Sequence, residues 1–446
     1  MKNEILITPT NEKALLVGVE LGRDGNRILS MEQSLEELEL LADTAGIEVL
    51  GTLTQKLDTP NPKTYIGSGK LEELKLLAEE LATDVVIFDD ELSPRHQREL
   101  EKELGDKIKL IDRTALILDI FAQHANTKEG MLQVELAQLE YRLPRLTRAW
   151  THLARQAGGG GGRTGSSGGV GLRGPGEQQL ELDRREIKGR IKTLKELLEK
   201  VREQRSRHRD LRRKTHIPVV SLVGYTNAGK STLINRMVDT DIYVADQLFA
   251  TLDPTTRQLT LSGGQQVLLT DTVGFIQKLP TQLVAAFRAT LEEIIEADLL
   301  LHVVDISKAH AREQQQTVLE TLRLIGADEI PVLTAYNKID RLRAEEKKEL
   351  QNSVTEDVCL ISARTGEGIP DLLEVIAEEI LSGYKQMHLL LPYEEGALVS
   401  QLHERASILS LENQENGIQL HVLVPAEMVG RLEKFVYIHK ITNSPR

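Results

Sequence analysis

The sequence predicts an α/β protein of several domains, on three observations. Two stretches, residues 1–125 and 215–384, alternate strand-like apolar runs with helix-like amphipathic ones, the pattern of a mostly parallel sheet covered by helices. Between them, residues 126–214 lose the strand signal and become helical and basic around a glycine-rich loop at 158–176. At 446 residues the chain exceeds what one hydrophobic core supports. Two to four domains are therefore expected, the last a small α+β piece at 385–446.

In chain order, residues 14–21 read as a strand. Residues 34–41 carry apolar positions at helical spacing, with Ser34 as N-cap and Glu37 three residues on, a capping box. Strands follow at 49–53 and 84–88, separated by a helix at 69–81. A helix at 94–104 precedes a strand at 108–111. Residues 112–155 read as helical and include the basic run Arg142, Arg145 and Arg148. The loop then carries Arg163 and Arg173 and no acid up to Gly176. In the helix expected at 177–213, Leu180, Ile187, Ile191, Leu194, Leu198 and Val201 recur mostly every three, four or seven residues, which marks the second arm of a helical hairpin. Pro218 opens the second alternating stretch. A strand at 419–424 and a helix at 426–435 define the C-terminal appendage.

Aromatic residues make up 3% of the chain, so the cores must be built from Leu, Ile, Val and Ala. The single cysteine, Cys359, excludes an intramolecular disulfide framework, and its apolar neighbours Val358, Leu360 and Ile361 make it a buried small hydrophobe. No stretch reaches the ~18–20 apolar residues that cross a bilayer. Met1 to Ile5 lack the features of a signal peptide, so a cytoplasmic location is expected. The net charge of −13 hides an asymmetry: from Arg142 to Lys214 there are 20 Lys and Arg against 8 Asp and Glu. One basic segment on an acidic body points to a polyanionic partner.

The strand at 217–223 runs directly into Gly224-Tyr225-Thr226-Asn227-Ala228-Gly229-Lys230-Ser231 and then a helix. That is a phosphate-binding loop in its required strand–loop–helix context. Its glycines let backbone N–H groups curl around phosphates, and the helix N-terminus adds partial positive charge. Lys230 reaches the β- and γ-phosphates, and Ser231 supplies a hydroxyl to Mg²⁺.

Three later elements choose the base and the reaction. Asp271-Thr272-Val273-Gly274 ends a strand, so that Asp271 is placed to hold Mg²⁺ through water and Gly274 to offer its N–H to the γ-phosphate. Asn337-Lys338-Ile339-Asp340 ends another. The Asp340 carboxylate accepts from the imide N–H and the exocyclic amine of guanine, a pair that adenine does not offer. Ser362-Ala363-Arg364 follows a third strand, where backbone meets the guanine carbonyl. Together they specify a P-loop GTPase G domain with Mg²⁺ as cofactor and GTP and GDP as ligands. Between the phosphate loop and Asp271, a switch loop must bring a hydroxyl to Mg²⁺ and order around the γ-phosphate; Thr251, Thr255 and Thr256 are all candidates. Phe275 stands where many GTPases place a water-orienting Gln. Slow unaided hydrolysis follows, unless a polar neighbour such as Gln277 substitutes.

With these residues in place, the chain resembles the HflX family of GTPases in the Obg-like group. Gly224 to Ser231, Phe249-Ala250-Thr251-Leu252-Asp253 and Asp271 to Phe275 have that family's form. So do Asp112-Arg113-Thr114, Ile120-Phe121-Ala122, the run from Glu135 to Leu146, and Gly171-Leu172-Arg173-Gly174-Pro175-Gly176. The resemblance covers about residues 10–385. It implies that Thr251 is the switch hydroxyl on Mg²⁺, that Lys230, Thr251 and Gly274 act in catalysis, and that residues 249–253 join the nucleotide site. It further implies binding to the large ribosomal subunit and splitting or rescue of ribosomes, notably under heat stress. Hydrolysis is then slow alone and faster on ribosomes, and a secondary ATPase activity belongs to the N-terminal domain. Gly67-Ser68-Gly69-Lys70 is too short for a second phosphate loop and reads as a helix cap.

The basic segment then has a partner in rRNA, with Arg145, Arg148, Arg163 and Arg173 as phosphate contacts. Tyr141 and Trp150 are its only aromatics, which favours backbone and shape recognition. The chain is expected to act as a monomer. The alternative is a regulatory switch that docks on a protein or peripherally on a membrane. No catalytic cysteine, metal-ligand cluster or helicase motif supports an RNA-modifying enzyme.

Overall fold

The computed structural model describes residues 12–22, 29–146, 175–215, 217–238, 248–249, 255–261, 265–278, 288–353, 358–381 and 384–437. The chain divides into two compact units. The first is Met1–Arg202 together with Gln247–Asp253 and Gln277–Ala289; the second is Glu203–Asp246, Pro254–Ile276 and Thr290–Arg446.

The first unit is built on a four-stranded parallel sheet in the order β2-β1-β3-β4. Its elements are β1 (Lys13–Leu21), α1 (Met31–Thr44), β2 (Glu48–Leu57), α2 (Ser68–Glu80), β3 (Val85–Phe88), α3 (Pro94–Leu104), β4 (Lys109–Asp112), α4 (Arg113–His124) and α5 (Lys128–Arg142). Every residue of β3 is buried, as expected for a strand covered on both faces. Leu15, Val17, Leu74, Phe88 and Leu100 form the core between sheet and helices.

The capping expectation for α1 was displaced by one turn. Ser30 is the N-cap, with Gln33 completing the capping box. Ser34 and Glu37 lie inside the helix and face inward, because a partner far along the chain claims them. The Ser34 hydroxyl donates to Asp89 at 2.8 Å, and Glu37 accepts from Arg113 Nη1 at 2.7 Å. Arg113 is fully buried and also donates to Asp89 Oδ1 at 2.6 and 3.0 Å and to the Ser34 carbonyl at 2.7 Å. Lys278 closes this cluster, bonded to Asp89 and, at 2.6 Å, to Asp90. Burial pushes the Asp89 carboxyl up, but Arg113 and Lys278 outweigh it and hold it well below the usual carboxylate range.

The long helix α6 (Pro175–Thr215) is tied to α5 by two ion pairs, and its Leu194 is buried. Arg190 is bidentate to Glu135, both bonds 2.7 Å, and Lys195 pairs with Glu140 at 2.8 Å. The pairs advance in the same sequence direction, so α5 and α6 run parallel where they meet. The segment that links them, 147–174, lies outside the described residues.

The second unit holds a six-stranded sheet, β10-β9-β8-β5-β7-β6, parallel except for β6. Its elements are β5 (Val219–Gly224), α7 (Lys230–Val238), β6 (Thr255–Thr260), β7 (Gln266–Asp271), α8 (Arg288–Ile295), β8 (Leu299–Asp305), α9 (Ala311–Ile325), β9 (Val332–Asn337), α10 (Ala344–Ser353), β10 (Val358–Leu360) and α11 (Ile369–Leu381). A crevice at the carboxyl ends of β5 and its neighbours is where open α/β sheets bind ligands. Beyond it, β11 (Tyr384–Leu391), β12 (Ser407–Gln414) and β13 (Gly417–Pro425) form an antiparallel sheet. With α12 (Gly396–Arg405) and α13 (Ala426–Leu432) it encloses a separate core of Leu389, Leu402, Leu420 and Val422. The α/β class, with its small α+β end, is as expected.

Removing one partner of a buried ion pair strands the other, at about 3–5 kcal/mol. Arg113→Ala should therefore lower stability by that order in urea unfolding. Asp89's folded pKa lies below its unfolded value, so its contribution is complete above roughly pH 4 and fades as pH falls further. The gap between wild type and Asp89→Asn should shrink over the same range.

Candidate functional site

The phosphate loop is shaped by places where no side chain fits. Gly224 has φ 154°, and a Cβ on it would lie 2.3 Å from the Val303 carbonyl oxygen of β8. Gly229 has φ 95°, and a Cβ there would meet Asn337 Nδ2 at 2.4 Å. Between them Asn227 adopts φ 59°, a left-handed turn that Asn tolerates better than most residues. The turn delivers the chain to α7, whose first bond runs from Leu233 N–H to the Gly229 carbonyl at 2.9 Å.

Lys230 is buried and bridges the loop, donating to the carbonyls of Gly224 (3.1 Å) and Tyr225 (3.0 Å). Burial pushes its ammonium down to about 8, against the pull of Asp271. A desolvated cation in a glycine-bounded loop at a helix N-terminus is suited to an incoming polyphosphate. The loop continues into Thr226, whose N–H donates to the Phe275 carbonyl at 2.8 Å, while Phe275 N–H donates to Gly224 O at 3.1 Å. Phe275 thus fastens its segment to the loop through backbone, with its ring buried.

Ser231 Oγ donates to Asp271 Oδ2 at 2.6 Å, and Thr272 Oγ1 to the Leu222 carbonyl at 2.5 Å. Two hard oxygen donors side by side, on Ser231 and Asp271, fit Mg²⁺. Gly274 lies against the loop: a Cβ on it would be 2.9 Å from Thr226 Cα and 3.1 Å from Lys230 Nζ. Ala250, Thr251, Leu252 and Asp253 lie outside the described residues. Phe249 buries its ring edge-on against Phe121, centroids 4.6 Å apart, in the first unit.

The loops after β9 and β10 are organised by Asn337. Its Nδ2 donates to the Ala228 carbonyl at 2.8 Å; its Oδ1 accepts from the N–H groups of Lys338 (2.8 Å) and Ala363 (2.9 Å). Lys338, at φ 68°, donates to Asn227 O and pairs with Asp305, both at 2.8 Å. Ile339 is buried, and its N–H donates to Ile361 O at 3.3 Å. This leaves Asp340 at the rim, with Oδ1 accepting from Ser362 Oγ at 2.6 Å and Oδ2 paired with Arg364. The Ser362 bond leads the effects that lower the Asp340 pKa.

Sequence reasoning missed His302. It stands in β8 beside Val223, buried, and neither ring nitrogen has a hydrogen-bond partner among the described residues. Burial, then the charge of Lys230, pushes its pKa down to about 4, so the imidazole near the phosphate loop is neutral at pH 7. A single His inside an apolar strand was the available signal. Arg145 is a correction. Its guanidinium donates to Leu92 O (2.7 Å), Tyr141 O (3.0 Å) and Gln97 Oε1 (3.0 Å), and it stacks 3.5 Å over the Tyr141 ring. That cation is spent on contacts within the first unit, its side chain only 9% exposed. Tyr141 is likewise occupied, donating to Asp112 at 2.8 Å. Arg148, Arg163 and Arg173 lie outside the described residues.

Lys230→Met removes a buried charge. It should raise stability in the absence of nucleotide by roughly 1–3 kcal/mol in urea unfolding, while GTP or GDP no longer adds any. Since Lys230 titrates at about 8 rather than 10.5, wild type should gain stability as pH rises between those values, and the variant should not.

Three family descriptions match consecutive parts of the chain: "GTP-binding GTPase N-terminal" at 32–122, "GTP-binding GTPase Middle Region" at 124–212 and "50S ribosome-binding GTPase" at 219–338. The GTPase HflX of Caldanaerobacter subterraneus is 47% identical over 94% of this chain and 95% of its own. The Escherichia coli K12 protein of the same name is 44% identical over 93% and 94%. A GDP-bound GTP-binding protein from Sulfolobus solfataricus, known from its crystal structure, is 26% identical, with TM-score 0.42 over 83% of this chain and 99% of its own. The order of the motifs, the hydrogen bonds that join them and near full-length identity agree: this chain belongs to the HflX family of GTPases.

Proposed function

We propose that the protein hydrolyses GTP with Mg²⁺ as a factor of the large ribosomal subunit, splitting or rescuing ribosomes under stress such as heat. One observation carries the nucleotide part: the Asn337–Ala228 bond ties the strand end expected to read guanine to the phosphate loop. The ribosomal part rests on the family and on the matched description, "50S ribosome-binding GTPase". It is supported by the basic segment, where Arg184, Arg185 and Lys188 of α6 are exposed to solvent. A cytoplasmic site of action goes with this reading. No described helix is long and apolar enough to cross a membrane.

In this mechanism the loop from Gly224 to Ser231 wraps the phosphates, and Lys230 compensates charge on the β- and γ-oxygens. Asp340 selects guanine, with the Ala363 backbone facing the base carbonyl. Ser231 and Thr251 would hold Mg²⁺, with Asp271 acting through water; the ion would supply charge neutralisation across the phosphates. Gly274 donates its N–H where negative charge gathers on the γ-phosphate. Phe275 places a buried ring where a water-orienting amide would otherwise stand. Unaided turnover is slow for that reason, and the ribosome completes the site.

Turnover should rise at least tenfold when large subunits are added to the purified protein at low salt, and the gain should vanish at high salt. Replacing Arg184, Arg185 and Lys188 by Glu should remove the stimulation and leave basal turnover intact. Lys230→Ala should abolish both activities. Stimulation that is absent at every salt concentration would move the reading to a switch docked on protein or membrane.

A further inference from the structure

The carboxylate that reads guanine already has a ligand from its own chain. Asp340 Oδ2 is paired with Arg364, and Oδ1 with the Ser362 hydroxyl. The donor edge of guanine, an N–H and an NH₂ on one carbon, is itself a guanidine fragment. An arginine guanidinium therefore presents to a carboxylate the same parallel pair of donors that the base presents.

The two ends of Arg364 differ in freedom. Its backbone is tightly held. The Arg364 carbonyl accepts from Arg236 at 3.2 Å, and Ala363 N–H donates to Asn337. Thr365 N–H donates to Ser362 Oγ at 3.1 Å, and Gly366 N–H to Ser362 O at 2.8 Å. The side chain, in contrast, is 71% exposed, while the Asp340 side chain is 10% exposed. A change of rotamer alone uncovers the carboxylate, with no movement of the loop.

We propose that Arg364 is an internal competitor for guanine: its guanidinium occupies Asp340, the base enters by displacing it, and its return assists nucleotide release. This rests on the reading of Asp340 as the guanine acceptor. Affinity for GDP and GTP is lowered by the fraction of time the carboxylate is occupied. The residue thus sets the nucleotide exchange rate without touching phosphate, in a chain whose cycle requires release of GDP.

The test is binding and release of fluorescently labelled GDP by the full chain. Arg364→Met keeps length and apolar contact but removes the donors. It should bind GDP roughly three- to tenfold more tightly, mainly through slower release, with Arg364→Lys in between. The gap to wild type should narrow at high salt, where the ion pair is screened. Equal or weaker binding by Arg364→Met would overturn the proposal and make Arg364 an ordinary base contact. Asp340→Asn separates the two levels. If it loses GDP while Arg364→Met shows no gain, only the competitor fails; if it binds GDP as wild type does, the guanine reading of Asp340 fails as well.

Discussion

One side-chain amide holds the candidate nucleotide site in register. Asn337 uses a donor on the Ala228 carbonyl of the phosphate loop and a single acceptor for two backbone N–H groups, from Lys338 and Ala363. Three loops, leaving the ends of β5, β9 and β10, are thereby joined at one buried residue. The amide needs both faces: a carboxylate would lose the bond to Ala228, and an apolar residue would strand three backbone groups. Gly229 follows from the same constraint, since its hydrogen stands where a methyl group would strike Asn337.

The glycines and the buried lysine express one design. Backbone approaches backbone closely at Gly224 and at Gly274, which leaves no room for a side chain at either position beside Lys230. Lys230 is then a cation with little water, stabilised by carbonyls until a stronger anion arrives. Neutral His302 behind it adds no competing charge. Burying such a cation is costly to the fold. In the first unit the same physics serves architecture, where Arg113 and Asp89 neutralise each other out of reach of solvent.

What was legible in the sequence was what spacing encodes. The loop from Gly224 to Ser231, the strand ends at Asp271 and Asn337, and the alternation behind both parallel sheets depend on neighbours a few residues away. What stayed hidden depends on distant partners. Ser34 and Glu37 form a plausible capping box by pattern, yet Arg113, 79 residues beyond Ser34, recruits both into the interior. Arg145 belongs to a basic run by composition, but the carbonyls of Leu92 and Tyr141 claim it. The ion pair between Arg364 and Asp340 joins two motifs, each readable alone, whose contact only the fold supplies.

The first unit is discontinuous in the chain, and this bears on how the protein is made. Thr44, Asp89, Asp90 and Phe121 find partners in Leu248, Phe249 and Lys278. During synthesis, at about 5–20 residues per second, an N-terminal domain ordinarily folds before later ones emerge. Here the strands and helices can assemble early, with Arg113 already beside Asp89, but Asp89 and Asp90 gain their bonds to Lys278 only once it leaves the exit channel. Completion of the first domain is therefore tied to translation well into the second, and a fragment ending at the apparent boundary near Arg202 would carry an unfinished surface.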